Sequence, residues 1–201
     1  RGHRFVRYAD DVMVYVRSER AGQRVMQSIT KFVEQRLGLR VSRDKSRVDR
    51  AMKRPFLGFS FYRRDGRVKI GVDRKARQRV KQRLRQLTAR TWGVSMQRRI
   101  HALNRFTVGW TAYFALADGQ RLFSDLDEWL RRRLRKVRWK EWKRYHTRRR
   151  NLLALGMPER AAREWAGSQK GPWRIAGTYV LQRALPIAYW TSLGLQGFAA
   201  P

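Results

Sequence analysis

The stretch Phe5–Tyr15, "FVRYADDVMVY", sets two adjacent carboxylates, Asp10 and Asp11, between two apolar runs rich in Val, Tyr and Phe. Such runs favour extended backbone, and the acids between them mark a tight connection, so residues 4 to 17 read as a β-hairpin with the acids at its tip. Ser18 follows as an N-cap. The segment after it places Ala21, Val25, Ile29, Phe32 and Val33 on one helical face and stops at Gly38. That face is expected to pack on the hairpin. "LRVSRDKSRV" reads as extended, and in "FLGFSFYRRDGRVKIGV" the Asp65-Gly66 pair joins two strand-like runs as a hairpin turn.

After Gly71 the pattern becomes helical. "RKARQRVKQRLRQLTAR" aligns Ala76, Val80, Leu84 and Leu87, and fills its other faces mainly with Arg, Lys and Gln. A second helix, capped by Ser95, carries Ile100, Leu103, Trp110 and Phe114 near one stripe, with Gly109 expected to permit close helix packing and Gly119 just beyond the end. A third is expected to start at Ser124 with Asp125, Asp127 and Glu128 in its first turn, matched to the positive end of the helix dipole. Together these predict a bundle. Pro158 opens a short helix through Trp165, "SQKGPWR" reads as a loop, and the last apolar segment is kinked or interrupted at Pro186. The fold class is therefore α+β, with residues 1–72 mixed and residues 73–201 helical.

The 201 residues include 48 Lys and Arg against 15 Asp and Glu, a formal charge of +33, so the chain should seek a polyanion. With 42% hydrophobic residues it can also bury a core, which a disordered basic tail cannot. No apolar run approaches the ~20 residues of a spanning helix, so nucleic acid is favoured over a membrane. There are no Cys, which excludes disulfides and thiolate metal sites, and His3, His101 and His146 are too scattered to suggest a zinc cluster, which leaves oxygen ligands for any metal. Residues 131–150 hold the densest charge, including Arg131, Arg132, Arg133, Arg135, Lys136, Arg138, Lys140, Lys143 and Arg144, interleaved with Trp139, Trp142 and Tyr145. Together with Arg77, Lys81 and Arg85 on the first helix of this region, these are the candidate RNA-binding residues. Trp110, Trp129 and Trp190 are assigned to the core; Trp139 and Trp142 are left open between core packing and base stacking.

Two carboxylates alone are common in solvated turns. Their context carries more: "FVRYADDVMVY" resembles the palm motif of reverse transcriptases, and "LGLRVSRDKS" and "FLGFSF" resemble the segments that follow it in order. Ser42 stands where related sequences often have Asn. Further on, "FTVGWTAYF" resembles the Gly-Trp-x-x-Tyr signature of the maturase, or X, domain of bacterial group II intron reverse transcriptases, and "LDEWLRRRLRKVRWKEWKR" and "GPWRIAGTYVLQRALPIAYW" resemble its next two blocks.

The resemblance implies the C-terminal part of a polymerase palm (residues 1–72) followed by a helical thumb and maturase region (residues 73–201). It implies an RNA-directed DNA polymerase that also assists splicing of its intron. Asp10 and Asp11 would be catalytic carboxylates holding Mg²⁺, Tyr8 and Ala9 would lie near the primer end, and Lys45 would help position phosphate. The implied partners are structured intron RNA, an RNA template with its DNA primer, and a DNA target, with no membrane; the implied location is the bacterial cytoplasm, at the nucleoid when bound to target. The first residue is Arg, so the chain is expected to begin inside a longer protein, with the fingers and an earlier palm carboxylate upstream and no endonuclease module downstream. This fragment alone is expected not to polymerise. The alternatives are a truncated, non-polymerising RNA-binding maturase, or a reverse transcriptase of another bacterial lineage, which shares the Asp pair but not the Gly-Trp-x-x-Tyr block.

Overall fold

The computed structural model describes residues 2–199. The chain divides into two compact units, residues 1–69 and 70–201, with the boundary inside the last strand. The architecture is α+β, two small sheets and a helical remainder, as the sequence pattern predicts.

In the first unit, β1 (Arg4–Tyr8) and β2 (Asp11–Tyr15) pair antiparallel, with Tyr8 opposite Asp11 and Arg4 opposite Tyr15. Only Ala9 and Asp10 remain for the turn, and Ala9 takes a positive φ of 50°. Helix α1 (Glu19–Arg36) begins where Ser18 accepts the Ala21 N–H on its hydroxyl at 3.2 Å, and it ends before Gly38, whose φ of 63° suits glycine. Gly22 is buried because the chain closes tightly over it: a Cβ there would meet Val48 at 2.5 Å. The predicted apolar face is only partly covered. Ala21, Val25 and Val33 are half-buried, whereas Ile29 and Phe32 are exposed, as are Phe5, Val6 and Val12 of the ribbon. One helix and one two-stranded ribbon offer too little surface to enclose a core between them.

The segment 41–50 forms no strand; it turns at residues 43–45, with the Ser46 N–H donated to the Ser42 carbonyl at 2.9 Å. A single 3-10 turn (Ala51–Lys53) follows, then β3 (Phe59–Arg64) and β4 (Arg67–Val72), joined through Asp65 and Gly66 at φ 52° and 71°. Positive φ at both central residues is what the twist of a two-residue hairpin demands, and Asp-Gly satisfies it.

The second unit holds the hydrophobic core. Helix α2 (Arg74–Leu87) is capped by Asp73, which accepts the Lys75 N–H at 2.8 Å, and buries Ala76, Val80, Leu84 and Leu87. Helix α3 (Met96–Tyr113) is capped by Ser95 as predicted, and buries Ile100, Leu103 and Thr107. Helix α4 runs Gln120–Glu141, four residues earlier at its start than the sequence suggests, because Leu122 and Phe123 pack against the core and draw the first turn in. Its first turn therefore has no acid. Along α4, Leu126, Leu130 and Leu134 recur every fourth residue and are fully buried.

Short helices complete the unit: α5 (Tyr145–Ala154), α6 (Glu159–Ala166), α7 (Pro172–Ile175), α8 (Tyr179–Ala184) and α9 (Ile187–Ser192). Pro158 and Pro186 stand at helix starts, where a missing N–H removes no bond, and Pro172 begins α7 within the stretch expected to be a loop. Gly109 is exposed with open space where a Cβ would go, so it admits no close helix packing. No helix among the described residues is long and apolar enough to cross a membrane.

The tail after α9 is fastened by polar side chains. Asp127, only 7% exposed, accepts the Phe198 N–H at 2.8 Å and the Ala199 N–H at 3.0 Å. Asn104 donates to the Gly194 carbonyl and accepts the Gln196 N–H at 2.9 Å, and Phe198 is buried edge-on against Trp110.

Candidate nucleic-acid interface

A guanidinium offers five N–H donors in a plane, and it can serve either a phosphate or a backbone carbonyl. The fold divides the arginines between these uses. Helix carboxyl ends leave carbonyls without intrahelical partners and carry partial negative charge, so they compete with RNA for nearby arginines.

Arg99 of α3, 2% exposed, donates to the Leu87 carbonyl at 2.6 Å and to the Trp92 carbonyl at 2.8 Å, closing the end of α2. Arg133 of α4 joins it there, donating to the Thr88 hydroxyl and to the Arg85 carbonyl at 3.2 Å. Arg135, 7% exposed, donates its Nε to the Ala176 carbonyl at 2.9 Å, and Arg132 donates to the Trp173 carbonyl at 3.3 Å, so both close the end of α7. Arg148 donates to the Trp142 carbonyl at 2.9 Å and to the Ala166 carbonyl at 3.4 Å, where α4 and α6 end. Arg138 pairs with Glu141 at 2.7 Å.

The remaining predicted RNA-binding side chains face outward. Arg77, Lys81 and Arg85 are exposed and lie four residues apart, which aligns them along one side of α2. Lys140, Lys143 and Arg144 are exposed at and just beyond the end of α4, and Arg131 is half-buried. None of these seven pairs with an acid among the described residues. Lys136 lies between the two groups: half-buried, its pKa is lowered by burial and then by the charges of Arg133, Arg90 and Arg99. A cation crowded by cations is a place where an anion relieves repulsion.

The aromatics sort just as sharply. Trp139 is 1% exposed and Trp142 is also buried, edge-on to one another with centroids 6.0 Å apart, so both belong to the core and neither can stack on a base. Trp190 is buried, and Trp110 and Trp129 are half-buried against the core, as the sequence reading assigns them. Trp129 lies under two guanidiniums, Arg85 at 5.5 Å and Arg133 at 5.0 Å from the ring centroid. The sequence reading missed Trp173, which lies at 40% exposure under Arg132. Its signal was there: an aromatic in a short Gly-Pro stretch between basic residues.

In the first unit Asp10 stands in the β1–β2 turn and Asp11 opens β2, both exposed, and among the described residues no ion pair or side-chain hydrogen bond occupies either carboxylate. Arg7 braces the turn by donating to the Ala9 carbonyl at 3.2 Å. Ala9 with positive φ is a strained non-glycine, a conformation that persists where surrounding structure enforces it and that clusters at functional sites. Tyr8 is exposed beside it. Lys45 is exposed on the separate 43–45 turn, and no hydrogen bond or ion pair joins it to Asp10 or Asp11. Among the described residues no group of three or more His, Cys, Asp or Glu is placed to hold a metal ion. Two hard carboxylates at a braced tip do suit Mg²⁺, which accepts one or two protein carboxylates and fills its other positions with water and substrate oxygens.

A helical unit with its acid-poor cationic side chains turned outward has the character of a nucleic-acid-binding domain. Residues 77–156, from α2 through α5, match the family model described as group II intron, maturase-specific domain, a likeness consistent with the C-terminal part of a group II intron maturase. No curated protein matches the chain.

Proposed function

We propose that this chain is part of a group II intron reverse transcriptase and maturase: its helical unit binds the structured intron RNA and supports splicing, and its first unit belongs to the polymerase palm. The observation that carries the reading is the maturase-specific match over residues 77–156, the same stretch that turns Arg77, Lys81, Arg85, Lys140, Lys143 and Arg144 toward solvent. Each phosphate neutralised by such a side chain releases counterions, so affinity falls steeply with salt. The arginines bound to backbone carbonyls act differently. Arg135, Arg99 and Arg148 hold helix ends in place, and Arg132 and Arg133 hold helix ends while stacking on Trp173 and Trp129.

For the polymerase part, Asp10 would be the principal Mg²⁺ ligand and Asp11 would supply or orient the second carboxylate. The chemistry a bound Mg²⁺ supplies there is stabilisation of negative charge on the entering and leaving oxygens of nucleotidyl transfer. Tyr8 and Ala9 would sit beside the primer end, Lys45 would hold phosphate, and an RNA template with DNA primer and a DNA target would be the further partners. Support comes from the braced, strained turn and from the exposed apolar residues Phe5, Val6, Val12, Ile29 and Phe32, which suit a surface covered within a larger palm. The test is cDNA synthesis by the full-length enzyme: Asp10→Ala should abolish it and leave intron RNA binding nearly unchanged. Retained synthesis would remove Asp10 from the metal site.

A second reading is favoured by the two-carboxylate tip, which has no third acid grouped with it among the described residues. The chain would then be an RNA-binding maturase without polymerisation.

A further inference from the structure

Of the eight tryptophans, Trp173 alone is exposed; the other seven are buried or half-buried. An exposed indole is ordinary when it swings freely in water, but this one is fixed. The Arg132 guanidinium lies 4.2 Å from the ring centroid while its Nη2 donates to the Trp173 carbonyl at 3.3 Å, so one side chain holds both the ring and its backbone. The guanidinium also lies close against Gly177: a Cβ there would fall 2.7 Å from Nη2 and 2.8 Å from Cζ, so glycine leaves the room it occupies between the indole and the backbone. Arg132 itself stands on α4, a 22-residue helix anchored in the core.

We propose that Trp173 is a stacking platform for an unpaired nucleobase of the bound RNA. This rests on the RNA-binding reading above and adds a specific subsite to it. Arg132 supports one side of the indole, and the exposed remainder offers a flat apolar surface with nothing else stacked on it among the described residues. Structured RNA is recognised largely where bases are unpaired and can lie on an aromatic ring, because paired bases are already stacked within their own helix. Stacking uses the π face, which every base also has, so the platform should tolerate any base. Exposed cations stand nearby in sequence, Lys170 and Arg174 on its own segment and Arg183 on α8, and can serve phosphates of the same strand. Rigid support also limits the ordering entropy lost when a base settles on the ring.

The test compares binding of a single-stranded oligoadenylate with binding of an RNA duplex of equal length, across a salt series. Trp173→Ala should weaken single-strand binding by roughly 5- to 100-fold, the range for losing one base–aromatic stack. Duplex binding should stay within about twofold and the salt slope should not change, since indole carries no charge. Trp173→Phe, which keeps a ring on the same support, should retain most single-strand affinity, and placing an abasic nucleotide in the strand should reduce the advantage of the wild type over Trp173→Ala. Equal losses on strand and duplex, or no loss on either, would overturn the platform while leaving RNA binding by the unit intact. Failure of the wild type to bind either RNA would overturn both this proposal and the reading it rests on.

Discussion

Arg135 donates its Nε to the Ala176 carbonyl at 2.9 Å from a position almost closed to solvent. In the sequence it is one of a run of identical-looking cations on α4; in the fold it is a brace between α4 and the end of α7. Replacing it by Ala removes a charge-assisted bond and leaves a carbonyl without a partner, which should destabilise the protein by about 2–3 kcal/mol in denaturant unfolding. Arg131→Ala, four residues earlier and half-buried with no acid paired to it, should stay within about 0.5 kcal/mol of wild type. Equal stability of the two variants would contradict this division of the run.

Asp127 makes a different long-range bond, accepting two N–H groups of a tail segment that lies 71 and 72 residues further along the chain. Asp127→Ala should lower stability by about 2–3 kcal/mol and expose Phe198, because one buried and one part-buried donor lose a charged acceptor together. Asp127→Asn should fall between, since its amide keeps one acceptor oxygen. Faster backbone amide exchange confined to residues 194–199 in Asp127→Asn would locate the effect; unchanged exchange there would refute it.

Lys136 should show the opposite sign. Its folded pKa lies below its ordinary value, first through burial and then through Arg133, Arg90 and Arg99. Between the folded and the unfolded pKa the unfolded chain binds more protons, so this group makes stability rise with pH in that window and works against folding below it. Lys136→Met keeps the aliphatic stem and removes the repulsion, so the stability at neutral pH should rise by about 0.5–2 kcal/mol, the amount typical of relieving charge, and the melting temperature with it. If Lys136 meets phosphate, RNA binding should weaken in the same variant. A lower melting temperature would contradict the electrostatic account.

The polymerase proposal makes a negative prediction for the chain as it stands: no Mg²⁺-dependent primer extension, since nucleotidyl transfer uses a pair of metal ions and the two carboxylates of one turn, with no third acid grouped with them among the described residues, suit one. Measurable extension would show that Asp10 and Asp11 suffice. It would also count against the reading of the chain as a non-polymerising maturase.

What the sequence reveals of this molecule is what local chemistry decides. Ser18 and Ser95 cap helices because their hydroxyls meet backbone donors three residues away, and Asp65-Gly66 makes a hairpin because two positive φ angles suit it. Val80, Leu84, Ile100 and Leu103 betray their burial by spacing alone. The rest depends on partners distant in the chain. Nothing near Arg135 in sequence announces Ala176, and Asp127, read as a helix-start acid, acts instead on the far terminus. Trp139 and Trp142 sit among lysines and arginines yet pack inward, because α4 is long enough for its last turns to reach the core formed with α5 and α6. Charge density therefore overstated how many arginines of α4 are open to RNA and missed Trp173.

The central claim is that RNA meets the exposed cationic side of α2 and the end of α4. It is tested most directly by titrating salt against intron RNA binding for wild type and for Arg77→Gln, Lys81→Gln and Arg85→Gln combined. The account predicts a salt slope shallower by about three units, one for each phosphate no longer neutralised, with the melting temperature lowered only slightly, since Arg77 and Lys81 are exposed and Arg85 gives up only its place over the Trp129 ring. A slope equal to that of the wild type would mean that RNA does not touch this side of α2, and the account would fail there.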